Sequence, residues 1–308
     1  MLRFLQGVGL GGEATGSQLL AMEHAPDNRR GLYGALMAIG SPISQVLASL
    51  TLAGLAAVLS KEDFNEWGWR IPFLASFLLI GVGFYIRRSV EETPVFVKSQ
   101  KVAAEKPRAL AILQAHPKTL ALLVMSWGAS AAIFYICVTF AIYYLTGPLG
   151  LDRSISFSLL IVANGVSIFG GLLGGHLSDK IGRKKVLSIG LFLLLIATVL
   201  LFPVLGLKNW FASAAIISLA LFAIQMNAGA QPAFFAESFP TNFRFTGSAL
   251  GYTCSTMIFA APAPFIATYL LGAFGGDPIG IVFYGLAIIA ISAFALWRLP
   301  DQRGIPFE

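Results

Sequence analysis

The sequence predicts an all-α membrane protein, a polytopic bundle of apolar helices. Hydrophobic residues make up 56% of the 308 residues and charged residues only 12%, against roughly 25% charged in a soluble domain. Mean hydropathy is +0.77. Apolar runs recur from one end to the other, most of them near the ~20 residues that a helix needs to cross a bilayer. This composition excludes a water-soluble enzyme and, being dominated by apolar residues, a disordered chain. The 32 glycines suit helices that approach closely in lipid.

Nine candidate spans follow in order: 4–21, 32–59, 71–86, 120–145, 155–177, 186–205, 211–236, 246–271 and 279–296. The first begins almost at Met1 and lacks a cleavage-like ending, so it does not read as a removable signal. The second is long enough to tilt. The third is short unless Trp67 and Trp69, both suited to the interface, extend it. Pro232, Pro262 and Pro264 are expected to kink the seventh and eighth. Cys137 and Cys254 fall inside apolar runs and read as packing residues, not as a disulfide framework.

Charge sets the orientation. Of the 21 Lys and Arg, all but Arg3, Lys61, Arg70, Arg153 and Lys208 fall in one set of loops, which the positive-inside rule makes cytoplasmic. The C-terminus is then inside. The longest polar stretch divides three spans from six. The expected organisation is therefore a partial N-terminal bundle at 1–86, a cytoplasmic linker at 87–118 and a six-helix bundle at 119–308.

Two of these loops resemble each other. EHAPDNRRGLYGAL, from Glu23, and ESFPTNFRFTGSAL, from Glu237, share Glu, Pro, Asn, Arg, Ala and Leu at equal offsets. Each acid ends an apolar span, where the helix macrodipole disfavours it. The Arg seven residues on (Arg30 and Arg244) is expected to pair with it. The loops lie six spans apart, so the repeat unit is six spans. A second cytoplasmic turn reads G-x-x-x-D-K-x-G-R-K-K from Gly175 to Lys185. Gly182 permits a tight turn, and Asp179 can pair with Arg183. Gly171 with Gly175, and Gly170 with Gly174, form small-xxx-small faces for close helix contact.

These residues resemble the major facilitator superfamily. The basic turn is similar to its signature loop, the Glu23…Arg30 and Glu237…Arg244 pairs to its cytoplasmic charge network, and Arg3 to Gly7 to its fourth-helix motif. The stretches from Leu59 to Phe73 and from Glu92 to Phe96 resemble the metabolite:proton symporter branch, which includes shikimate, dicarboxylate, citrate and proline/betaine carriers. The resemblance implies a major facilitator fold in which this chain's nine helices are equivalent to helices four to twelve. Three helices and a first copy of the basic turn would then precede Arg3, and transport is expected of an upstream-extended form and not of the 308 residues alone. The cytoplasmic gating network would comprise Glu23, Arg30, Gly175, Asp179, Gly182, Arg183, Glu237 and Arg244.

Candidate transport residues are polar groups inside apolar runs, where an ion costs at least ~2.5–3.5 kcal/mol. Arg3, Gln6, Glu13 and Ser17 fall within about 80° of one another on a helix. Desolvation would bring the Glu13 carboxyl toward the range useful for proton exchange. A buried Glu held by a neighbouring helix is the alternative. Tyr135, Thr139 and Tyr143 stand at successive i+4 steps, as do Asn227 and Gln231. With Gln225 and Asn164 they are read as lining a cavity, since amides both donate and accept. Interhelical hydrogen bonding is the competing role, and Trp127 is read as core.

The function expected is secondary active transport of a small organic acid or zwitterion across the inner (plasma) membrane, by proton symport and alternating access. An uncoupled facilitator, or a non-transporting remnant or membrane sensor, is the alternative. His24, His116, His176 and the cysteines lack metal spacing, and no P-loop is present. No cofactor is expected beyond the coupling proton. The expected partners are the lipid bilayer and the substrate, with no nucleic acid, and the chain is expected to be a monomer.

Overall fold

The computed structural model describes residues 13–89, 111–150 and 153–301. The described residues are helical almost throughout, and eight helices or helix series are long and apolar enough to cross a membrane. They correspond to the second through ninth expected spans. Of the first, residues 4–12 lie outside the described residues and the helix α1 (Glu13–Glu23) lies within them. Most of the expected linker, residues 90–110, lies outside as well.

Length alone predicts one tilted helix for the second span, but the structure breaks it. α2 (Arg30–Ala38) ends at Ile39, and α3 (Gly40–Val58) starts at the next residue. The reason is Pro42, which has no N–H for the helical ladder. A short helix α4 (Lys61–Glu66), capped by the Ser60 hydroxyl, leads to α5 (Ile71–Ser89). Trp67 and Trp69 stand exposed before α5, and the Arg70 guanidinium sits 4.4 Å from the Trp69 ring, as an interfacial anchor would. The short helix α6 (Ala111–Ala115) precedes α7 (Pro117–Tyr135).

Two later spans each contain a π-helical turn. Ile136–Phe140 joins α7 to α8 (Ala141–Thr146). The eighth expected span, read as one helix, comprises α12 (Thr241–Ser255), a π turn at Thr256–Ala260, and α13 (Ala263–Ala273). Pro262 and Pro264 follow that turn, as the expected kink requires. Between these lie α9 (Arg153–Ile181), α10 (Arg183–Gly206) and α11 (Trp210–Glu237), and α14 (Ile279–Arg298) closes the described series.

The hydrophobic core lies among the helices from α7 onward, and α11 is its axis. α9 packs on one side of it and α10 on another, while α7 packs against α14 and α12. Small residues set these distances. A Cβ on Gly174 would stand 2.1 Å from the Met226 carbonyl oxygen, and one on Gly170 2.5 Å from that of Phe222. The other glycine face of α9 meets α2. There Gly175 would collide with the Ala35 Cβ at 2.3 Å and the Gly31 carbonyl at 2.7 Å. The two faces expected of Gly170/Gly174 and Gly171/Gly175 thus serve two different neighbours. α5, by contrast, touches little besides α3 and the turn before it, and its apolar side chains are exposed.

Candidate functional site

The seam between α2–α3 and the bundle from α7 onward carries a charged cluster at one end and a polar cavity further in. Gly182 starts the cluster. Its φ of +106° is open to glycine, and it turns the chain so that Arg183 begins α10 pointing inward. The Arg183 side chain is 1% exposed. Its Nε and Nη2 donate to the two Glu237 carboxylate oxygens at 3.2 and 3.0 Å, and its Nη1 donates to Asp179 Oδ1 at 2.5 Å and to Ser178 Oγ at 3.0 Å. Asp179 also reaches across the seam. Its two oxygens accept from the backbone N–H groups of Gly31 and Leu32, both at 2.8 Å. A carboxylate on the first turn of α2 satisfies orphan donors and meets the positive end of the helix dipole.

For Glu237 the arrangement departs from the expected pairing. Glu237 spends both oxygens on Arg183, 54 residues back, so the seven-residue spacing does not set its bond. Arg244 donates its Nε to the Ala236 carbonyl and lies in the electrostatic field of Glu23, Arg30 and Glu237. Arg30 forms an ion pair with Asp27. The cluster is a network in which the repeated loops face each other, because buried charges of both loops share one small volume. Behind it, Lys184 Nζ donates to the carbonyls of Trp297 and Leu299, and Asp301 accepts from the Lys184 N–H. The end of α14 is thereby pinned to the start of α10.

The seam cavity is lined by Ser41, Pro42 and Gln45 on α3, Phe134 on α7, Asn164 and Ser167 on α9, and Gln225 on α11, with Leu221 and Ile224. Its room in this conformation is about that of one water molecule. None of its described lining residues is charged. Asn164 Nδ2 donates to the Leu160 carbonyl at 2.8 Å, and Gln225 Nε2 to the Ala38 carbonyl across the seam at 3.0 Å. Each amide keeps a second N–H and a carbonyl oxygen for a guest. The structure therefore brings Asn164 and Gln225 together at one cavity. It adds Ser41, Gln45 and Pro42, whose signal was an i,i+4 polar pair beside a proline in an apolar run.

Asn227 and Gln231 line a different cavity from Asn164 and Gln225. They share a face, but that face points into the bundle. There they line a second cavity with Ser126, Trp127 and Ser130 on α7, Leu187 and Leu191 on α10, Phe235 and Leu296. Asn227 Nδ2 donates to Ser130 Oγ at 3.1 Å, and Asn227 Oδ1 is buried without a partner. Trp127 is buried, with its ring centroid 6.0 Å from that of Tyr252. Tyr135, Thr139 and Tyr143 are exposed and line neither cavity. Ser17 is exposed, and its hydroxyl returns to the Ala14 carbonyl. Arg3, Gln6 and the Glu13 side chain lie outside the described residues. Among the described residues no His, Cys, Asp or Glu cluster has the makings of a metal site.

Comparison with known proteins adds the family. The model of the Major Facilitator Superfamily matches residues 1–262 and 166–307. The chain is 34% identical over 304 residues to the inner membrane metabolite transport protein YhjE of Escherichia coli (strain K12), covering 96% of this chain and 69% of that protein. It is 28% identical to the shikimate transporter of the same organism, covering 98% of this chain and 70% of that one. In fold it resembles the proton:xylose symporter XylE bound to 6-bromo-6-deoxy-D-glucose, with a TM-score of 0.78 at 16% identity over 98% of this chain and 70% of the other. The seam, its glycine contacts and its charged end occur in a multi-pass membrane chain that belongs to the Major Facilitator Superfamily, a superfamily of transporters and not of enzymes.

Proposed function

We propose that the chain serves proton-coupled secondary transport of a small organic acid or zwitterionic metabolite across the inner membrane, with the Arg183 end on the cytoplasmic side. The observation that carries this is the seam cavity. It is polar and uncharged along its described lining, and it lies between two sets of helices joined at one end by the buried Arg183 cluster. The relatives' names, a metabolite transport protein and a shikimate transporter, support a substrate of that size.

The chemistry follows from position. A guest of metabolite size exceeds the room in the cavity, so binding and release require the seam to part. The Arg183 cluster opposes parting at its own end, which favours access from the other. Breaking it shifts the population toward the opposite opening. Within the cavity Asn164, Gln225, Gln45 and Ser41 would meet hydroxyl and carboxylate oxygens, and Phe134 would meet an apolar ring face. Arg3 is the candidate for a substrate's negative charge and Glu13 for the coupling proton. Asp179, Arg183, Glu237 and Arg244 would form the cytoplasmic lock.

Uptake of radiolabelled shikimate and proline into reconstituted vesicles, comparing the 308-residue chain with an upstream-extended form, tests this. Uptake by the extended form that rises under an acid-outside gradient and collapses with an uncoupler, with none by the 308 residues alone, is the expected result. Uptake indifferent to the gradient would indicate a facilitator. Binding without uptake would favour the non-transporting alternative.

A further inference from the structure

We propose that the seam cavity selects metabolites that carry a hydrogen-bond donor, a hydroxyl or an N–H, and rejects donorless ones such as quaternary ammonium compounds. This rests on the reading of that cavity as the substrate site and names a property its substrate must have.

The argument begins at Pro42. In a continuous α-helix the Ala38 carbonyl would accept from the N–H of the residue four places on. That residue is Pro42, which has none. The chain breaks there, with α2 ending at Ala38 and α3 starting at Gly40. Ala38 lies well inside the candidate span Asp27–Leu55, where an unpaired backbone group costs several kcal/mol. The donor comes from across the seam, since Gln225 Nε2 reaches Ala38 O at 3.0 Å. Gln225 and Pro42 both line the cavity. The proline thus creates a demand on one wall, and the amide on the other wall meets it.

A guest large enough to part the walls draws Gln225 away from Ala38. The carbonyl then needs another donor. A substrate hydroxyl or N–H supplies it, and an adjacent substrate oxygen accepts from the released amide. The exchange conserves hydrogen bonds on both walls. A quaternary ammonium group, or a ring carboxylate without hydroxyls, fills the same space and leaves the carbonyl bare. A site that must satisfy a buried polar group discriminates strongly against the analogue lacking the matching group.

Calorimetric titration of the purified chain in detergent, with two matched pairs, tests the rule. Shikimate is compared with cyclohexenecarboxylate, and proline with N,N-dimethylproline. The donor-bearing member of a pair is expected to bind at least about tenfold more tightly than the other. In Pro42→Ala the main chain regains an N–H for Ala38, and the discrimination is expected to shrink to about twofold or less. In parallel, Gln225→Leu should lower the melting temperature of the native chain clearly more than that of the Pro42→Ala chain. Equal binding of both members of a pair overturns the donor rule, as do additive melting effects or no binding by any of the four. Donor-selective binding that persists unchanged in Asn164→Leu and Gln225→Leu overturns the cavity assignment itself, and so separates the two failures.

Discussion

The two cavities are built from similar chemistry and sit in different settings. Each combines two serines with carboxamides, two in the inner cavity and three in the seam, and each has room for about one water molecule. The inner one is enclosed by α7, α10, α11 and α14, which pack together as one core. The seam cavity has α3 as one wall and α7, α9 and α11 as the other. Side-chain type therefore does not tell the two pockets of this protein apart. What separates them is whether the walls belong to bodies that can move apart.

The largest test of that distinction removes the clamp. Arg183→Leu strips Glu237 of both its guanidinium donors and leaves Asp179 with only the Gly31 and Leu32 N–H groups, a loss of ~3–5 kcal/mol. The seam should loosen while the bundle interior stays packed. With Cys254→Ser as background, a cysteine at Ser167 in the seam should then gain reactivity toward a soluble maleimide, and one at Ser130 in the inner cavity should stay protected. Equal gains at both positions would mean that the bundle melts as a whole, and the distinction would fail.

The next test strains the inner cavity alone. A Cβ on Gly190 would lie 1.9 Å from Asn227 Oδ1, so Gly190→Ala should cost about 1–3 kcal/mol by overpacking. The loss should largely vanish when Asn227→Ala accompanies it. A thermal-melt cycle showing no coupling would place Asn227 differently from the structure. A third test reads binding. Asn164→Leu should weaken the seam ligand about tenfold, whereas Asn227→Leu should change stability and leave affinity within about twofold of the native chain. Affinity lost equally in both would merge the two cavities into one site. The smallest expected effect is from Ser130→Ala, which removes one neutral acceptor and should lower stability by ~1 kcal/mol without altering ligand discrimination.

Much of the fold was legible because lipid imposes it. Apolar runs of spanning length leave few alternatives to a helix, and the spans from residue 32 onward appear in the expected places, although the second is broken at Ile39 and the fourth and eighth carry π turns. The basic turn was legible too, since Gly182, Asp179 and Arg183 sit four residues or fewer apart and their geometry is local. The partner of Glu237 was not. Its nearest arginine in sequence is Arg244, and Arg183 becomes adjacent only when α10 folds against α11. The inward turn of Asn227 was hidden for a related reason. An i,i+4 pair states that two side chains share a face, and the neighbouring helices decide which way that face looks. Pro42 was readable, as a proline in an apolar run always is, but its consequence needed the Gln225 amide from another helix.

That π turn at Ile136–Phe140 carries a consequence of its own. The i→i+5 closure takes up one surplus residue inside a single wider turn, so the pieces on either side keep the bearing that an unbroken helix would give them. A one-residue deletion there is expected to restore an α turn and to leave the Tyr143 and Trp127 faces where they stand.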